Sequence, residues 1–173
     1  MHKLLLLLLL AFTGTSSIYD VQVTGSDGQP VNLGDYSGKK ILLVNTASSS
    51  EFTSQYASLE QLYQLYKDSL VIIAFPSNSF NHDTAGIDSI KSFIASQYNV
   101  HFLIAAKNDV KGDSTSPVFQ WLTHTENNGV MNVDIKNDFY KFLIDSSGHL
   151  VGAFDCSVDP MSDVIQSAVT ANN

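Results

Sequence analysis

The chain has 173 residues, 44% hydrophobic and 15% charged, enough for one domain with a real core and too few for two ordinary ones. Seventeen acidic residues face nine lysines and no arginine, and the formal net charge of −8 argues against nucleic acid or an anionic membrane as partner, because both need clustered positive charge. One cysteine, Cys156, excludes an intrachain disulfide framework and a CxxC redox or zinc site.

In chain order, Met1 to Ser17 reads as a signal peptide. His2 and Lys3 give a short basic start, Leu4 to Phe12 is an apolar run too short to span a bilayer, and small polar residues follow. The expectation is a secreted protein, extracellular or periplasmic, whose mature domain covers residues 18–173. Tyr19 to Val23 and Val31 to Leu33 flank the turn signal Gly25-Ser26-Asp27-Gly28, which predicts an N-terminal β-hairpin. Ile41 to Val44 reads as a buried strand. Leu59, Leu62, Tyr63 and Tyr66 recur at helical spacing, so Thr53 to Asp68 is predicted as a helix. Val71 to Phe75 is a second buried strand, and Ile87, Ile90, Phe93, Ile94 and Tyr98 mark a second helix. Ser116-Pro117 opens a short helix over Val118 to Leu122. Phe139 to Ile144 and Leu150 to Phe154 form a hairpin about Asp145-Ser146-Ser147-Gly148, and Asp159-Pro160 starts a last helix reaching about Thr170. This order predicts an α/β fold, a central mixed β-sheet with helices on both faces, and a thioredoxin-like fold satisfies it.

Several segments resemble the glutathione peroxidases, in the right order. They are the opening "SIYDVQVTGSDGQPVNLGDYSGKKILLVNTAS", the helix start Thr53-x-Gln55-Tyr56 in "FTSQYASLEQLYQLY", the corner in "LVIIAFPSNSF", the strand "YNVHF", and then "DVKGDSTSPVFQWL" and "FYKFLIDSSGHLVGAF". The resemblance covers about Ile18 to Ala168. It implies a monomer, because the short interval between Trp121 and Asn137 is similar to the smaller family members.

The same resemblance places the family's peroxidatic cysteine or selenocysteine at Ser50, in the turn Asn45-Thr46-Ala47-Ser48-Ser49-Ser50-Glu51. The supporting Gln falls at Ser79 and the supporting Trp-Asn pair at Asn137-Asp138, so all four positions of the family's tetrad carry other residues. Glu51 stands where the family has glycine. Peroxide reduction needs a polarizable anion that can carry the transferred oxygen as a sulfenic or selenenic acid, and a hydroxyl has no such oxidised state. Negative charge from Glu51 or Asp138 near Ser50 would disfavour an anion there, and neither Ser79 nor a carboxylate replaces the N–H donors. The second cysteine that thioredoxin-using members often carry falls at Ile94, and the corner position where many members have cysteine falls at Ser77. Basic residues that would steer glutathione are scarce.

Other chemistry weighs less. A Ser-His-Asp arrangement would need Ser50 near His82, with Asp83 beside it, but adjacent side chains diverge and no G-x-S-x-G elbow is present; a serine capping the following helix is the simpler reading. Cys156 is a possible reactive thiol, although Asp155 and Asp159 should raise its pKa. The histidines show no metal-ligand spacing, and no metal or cofactor is expected. Tyr56, Tyr63, Tyr66 and Phe93 read as core. The expectation is a non-catalytic binding module whose unknown protein or small-molecule ligand meets the face around Ser50, Glu51, Phe52, Ser79, Asn137 and Asp138, with exposed Phe52 and Phe80 as anchors. The alternative is a thiol peroxidase working through Cys156, and only then would glutathione or thioredoxin be a partner.

Overall fold

The computed structural model describes residues 17–171, so the expected signal peptide lies outside the described residues except for Ser17. That residue caps a 3-10 turn, Ile18–Asp20, through a reciprocal bond with Asp20. Gln22–Thr24 (β1) and Pro30–Asn32 (β2) then pair antiparallel as the N-terminal hairpin, with Val23 opposite Val31. Its tip is joined to the main body by a bridge from Gly25 to Ala105.

The main sheet is built on two long apolar runs. Lys40–Thr46 (β3) and Leu70–Pro76 (β4) are buried at every position and pair in parallel, as continuous hydrophobic strands do when both faces are covered. Gln55–Tyr66 (α1) connects them. Ile87–Tyr98 (α2) follows β4 and leads to the two-residue strand Leu103–Ile104 (β5), parallel to β4. Pro117–Thr123 (α3) and the single turn Thr125–Asn128 (α4) precede the hairpin Lys141–Ile144 (β6) and Leu150–Phe154 (β7). Asp163–Thr170 (α5) ends the fold. The order β5-β4-β3-β6-β7, parallel on one side of β3 and antiparallel on the other, makes the sheet mixed.

Alternation along the strands divides the core in two. Ile41, Leu43, Val71, Ile73 and Phe75 pack with Val118, Phe119 and Leu122 of α3 and with Val23 of the hairpin. Leu42, Val44, Ile72 and Ala74 pack with Tyr56, Leu59 and Leu62 of α1, Ile90 and Ile94 of α2, and Ile165 and Val169 of α5. Helices therefore cover both faces. Tyr63 meets Phe102 edge-on and Phe93 meets Tyr98, as core aromatics do. No helix among the described residues is long and apolar enough to cross a membrane.

Three boundaries differ from expectation for local reasons. The last helix starts at Asp163, not Asp159, because the Asp159 carboxylate accepts from the Met161 amide and turns the chain first. The hairpin strand starts at Lys141, since Phe139 takes a left-handed φ of 62°. The segment expected as a strand at Tyr98 to Phe102 is not one: Asn99, at φ 49°, closes α2, and the backbone and ring of His101 are held by Glu60.

Buried polar residues fix the strand ends. Asn45, fully buried, accepts from the Tyr140 amide at 2.9 Å and donates to the Asn137 carbonyl at 3.2 Å, which locks residues 137–140 to the end of β3. At the other end Lys40 Nζ donates to the carbonyls of Ala168 and Ala171, at the C-terminus of α5. Buried Lys141 Nζ donates to the carbonyls of Asp155 and Val158, and burial pushes its pKa down to about 8.

Candidate functional site

Ser50 lies in the turn between β3 and α1 and is 8% exposed. Its hydroxyl accepts from the Phe52 amide at 3.2 Å, and its carbonyl accepts from the Thr53 hydroxyl at 2.6 Å and the Thr53 amide. The expected helix cap is therefore a cap on the turn instead. Four further residues, Glu51 to Ser54, precede α1, and the position before the helix is Ser54, whose side chain caps nothing.

Asp138 reaches the same point from the strand locked by Asn45. It is fully buried. Its Oδ2 lies 2.6 Å from His82 Nδ1, whereas Oδ1 has no hydrogen-bond partner. Burial raises the Asp138 pKa, while His82 and the neighbouring Ser50 hydroxyl pull it back. His82 and Asp83 form no Ser-His-Asp grouping, in keeping with the divergence of adjacent side chains. Asp83 accepts from the Ser48 hydroxyl at 2.6 Å. Burial raises the Asp83 pKa too; the Ser48 bond and Lys107 oppose it, and Asp138 adds to it. Two carboxylates thus lie buried beneath the Ser50 turn, each with one unpartnered oxygen.

The remaining expected positions scatter. Ser79 faces away, accepting from the Val110 amide and from the Ser77 hydroxyl, both at 3.1 Å. Asn137 is half-buried on the rim and donates to Glu51 Oε1 at 3.4 Å. Phe52 and Phe80, expected as exposed anchors, are both half-buried. Phe52 packs on the α1 side of the core, and Phe80 lies under Lys111 Nζ, 4.8 Å from its ring centroid. Cys156 is half-exposed, and Gln55 at the start of α1 donates to its carbonyl at 2.6 Å. Partial burial raises its thiol pKa first, then Asp155 and more weakly Glu51, with Lys141 opposing. Among the described residues no group of three His, Cys, Asp or Glu is placed to hold a metal ion.

Sequence reasoning passed over Asn45, Lys107 and Lys141. For Asn45 and Lys141 a signal existed: each is a polar residue at or near an otherwise apolar run, which calls for a buried partner.

A strand-to-helix turn at the end of a central parallel strand, with a corner and a second loop converging on it, matches a known frame. The glutathione peroxidase family model matches residues 18–123. The chain belongs to the glutathione peroxidase family. It is 41% identical over 146 residues to the glutathione peroxidase-like peroxiredoxin GPX5 of Chlamydomonas reinhardtii, covering 83% of this chain and 90% of the relative. It is 38% identical over 146 residues to a glutathione peroxidase of Lactococcus lactis, covering 83% and 92%. Among solved structures, Trgpx in apo form superposes with a TM-score of 0.69 at 31% identity, over 91% of this chain and 98% of that one. T. cruzi GPX1 superposes at 0.67 with 29% identity, over 88% and 93%. A thioredoxin family thiol:disulfide interchange protein of Chlorobium tepidum, 13% identical, superposes at 0.61 over 90% and 97%, which shows the thioredoxin-like fold alone. The glutathione peroxidase family is thus carried by sequence and by shape, and the fold is the one the element order predicts.

Proposed function

We propose that this member of the glutathione peroxidase family has lost peroxide reduction at Ser50 and acts by binding, as a secreted, monomeric, non-catalytic module. The observation that carries the reading is a hydroxyl at Ser50, buried in the β3–α1 turn, with the buried carboxylate of Asp138 as a neighbour. Oxygen at this position cannot accept a transferred oxygen atom, and the adjacent carboxylate supplies an acceptor where an anion would need donors. The contact surface is the face around Ser50, Glu51 and Asn137, with a protein or small molecule as ligand.

The test is hydroperoxide consumption by the mature chain with glutathione or thioredoxin as reductant. Turnover at background supports the reading; sustained turnover overturns it. A second reading, a thiol peroxidase using Cys156, is favoured by one observation: Gln55 ties the Cys156 backbone to the first turn of α1, the helix that follows the Ser50 turn. Its raised pKa opposes it. Turnover that disappears in Cys156→Ala would establish the second reading.

A further inference from the structure

A cavity of about 260 Å³ lies where β4 opens, between the turn before β3, the last turn of α1 and the chain entering β5. Leu70 to Ile72 line it, together with three rings. Phe102 is buried and meets Tyr63 edge-on, with 6.2 Å between ring centroids. Tyr36 and Tyr63 are half-buried, and neither phenol hydroxyl has a hydrogen-bond partner among the described residues. Two lysines join the lining, half-buried Lys39 and exposed Lys67. Neither lies within ion-pair distance of a carboxylate among the described residues. Lys39 Nζ has no hydrogen-bond partner there, and Lys67 Nζ has only the Gln64 side-chain oxygen at 3.4 Å.

No aspartate or glutamate lines this cavity. The single acid of α1, Glu60, is taken up by Gln64 Nε2 at 2.7 Å and by the amide and ring of His101, both at 2.8 Å. Asp35, beside Tyr36 in sequence, accepts from Asn32 at 2.9 Å. In a chain of net charge −8, two uncompensated ammonium groups at a ring-lined hollow are a local exception that draws negative charge. Unmatched donors with no acid among them suit an anion, and aromatic and aliphatic walls suit an apolar body. A volume below the roughly 300 Å³ at which drug-sized sites begin admits one ring and its head group.

We propose that this cavity binds a small aromatic anion, a single ring bearing a phosphate or like head group, with the ring against Tyr36, Tyr63 and Phe102 and the head group held by Lys39 and Lys67. The chain has no arginine to fork onto the head group, so the two lysines act as point charges, and ring and charge together set the affinity. Burial, and then Asp35, raise the pKa of Tyr36, which keeps its hydroxyl a donor at neutral pH. The site is separate from the binding face described above: Lys39 precedes the first residue of β3, and Ser50 follows the last.

The test titrates phenyl phosphate into the mature chain, read by calorimetry and by amide NMR shifts. Binding at about 1 mM or tighter is expected for an occupant of this size. Shifts should fall on residues 36–39 and 101–103 and spare the Ser50 turn. Lys39→Gln and Lys67→Gln, with thermal melts confirming the fold, should each weaken binding about fivefold. Lys136→Gln, outside the cavity, should bind as the native chain does. Phenol and inorganic phosphate should each bind at least roughly tenfold more weakly than phenyl phosphate. No saturable binding in the millimolar range, native affinity in both lysine variants, inorganic phosphate as tight as phenyl phosphate, or shifts confined to the Ser50 turn would each overturn the proposal. Peroxide consumption is measured separately, so failure here leaves the reading of the Ser50 face untouched.

Discussion

Restoring the missing element at Ser50 should not restore the chemistry, and the size of the shortfall follows from Asp138. Consider Ser50→Cys in a Cys156→Ala background. An ordinary thiol titrates near 8.5, and a full like charge at contact, about 4 Å away in an effective dielectric of about 20, costs about 4 kcal/mol, or roughly three pH units. The 2.6 Å contact between His82 and Asp138 offsets part of that charge, so half is a fair allowance. Burial of position 50, 8% exposed in the native chain, acts in the same direction. The thiol should then titrate near 10, which leaves on the order of 0.1% thiolate at neutral pH against about 3% for an unperturbed cysteine. Stoichiometric oxidation by hydrogen peroxide should slow in proportion. Adding Asp138→Asn removes the charge, supplies an amide donor, and should raise the rate at least tenfold. Thiolate absorbance against pH and intact-mass kinetics read both numbers. A Ser50→Cys thiol titrating below about 7.5, or one indifferent to Asp138→Asn, would refute the reasoning.

Other outcomes follow from groups around the site. Lys141, ordinarily near 10.5, is held at about 8, which opposes folding by about 3 kcal/mol while the amine is charged. Between those two values the unfolded chain binds more protons, so stability should rise with pH across that window, and Lys141→Met should abolish the rise in urea melts. Asp83 is buried with a raised pKa, so the folded state binds more protons than the unfolded one above pH ~4, and stability falls as pH climbs through its folded value. Asp83→Asn should flatten that fall in melts across the acidic range; an unchanged slope would contradict it. Gly148 sits at φ 89° with Tyr19 Cε2 2.7 Å from where a Cβ would stand, so Gly148→Ala should cost about 2 kcal/mol and lower the melting temperature. Removing the ring as well, in Tyr19→Ala with Gly148→Ala, should leave the cost less than additive.

Much of the fold was legible because its signals are local. The runs at Ile41 and Val71, the helical spacing from Leu59 to Tyr66, and the turn ending in Gly148 each specify an element without outside help. The short strand at Leu103 was not legible at its true place, since two residues carry no period and its position is set by pairing with Ile73 and Ala74. The site was legible in membership and not in geometry. Ser50 and Asp138 were both singled out, but no sequence rule says that a residue 56 positions from His82 meets its ring before the adjacent Asp83 does. That pairing depends on Asn45 anchoring the segment after Lys136 to β3, a contact across 92 and 95 residues.

The link from Lys40 to the last carbonyls of α5 has a practical side. It pins the C-terminal helix to the first residue of β3, while Ser50 follows the last. Seven residues of strand separate the two ends, about 20 Å at the usual rise. A biotin or affinity handle attached at the C-terminus would therefore anchor the protein by its back, presenting the Ser50 rim outward to whatever flows past a sensor chip.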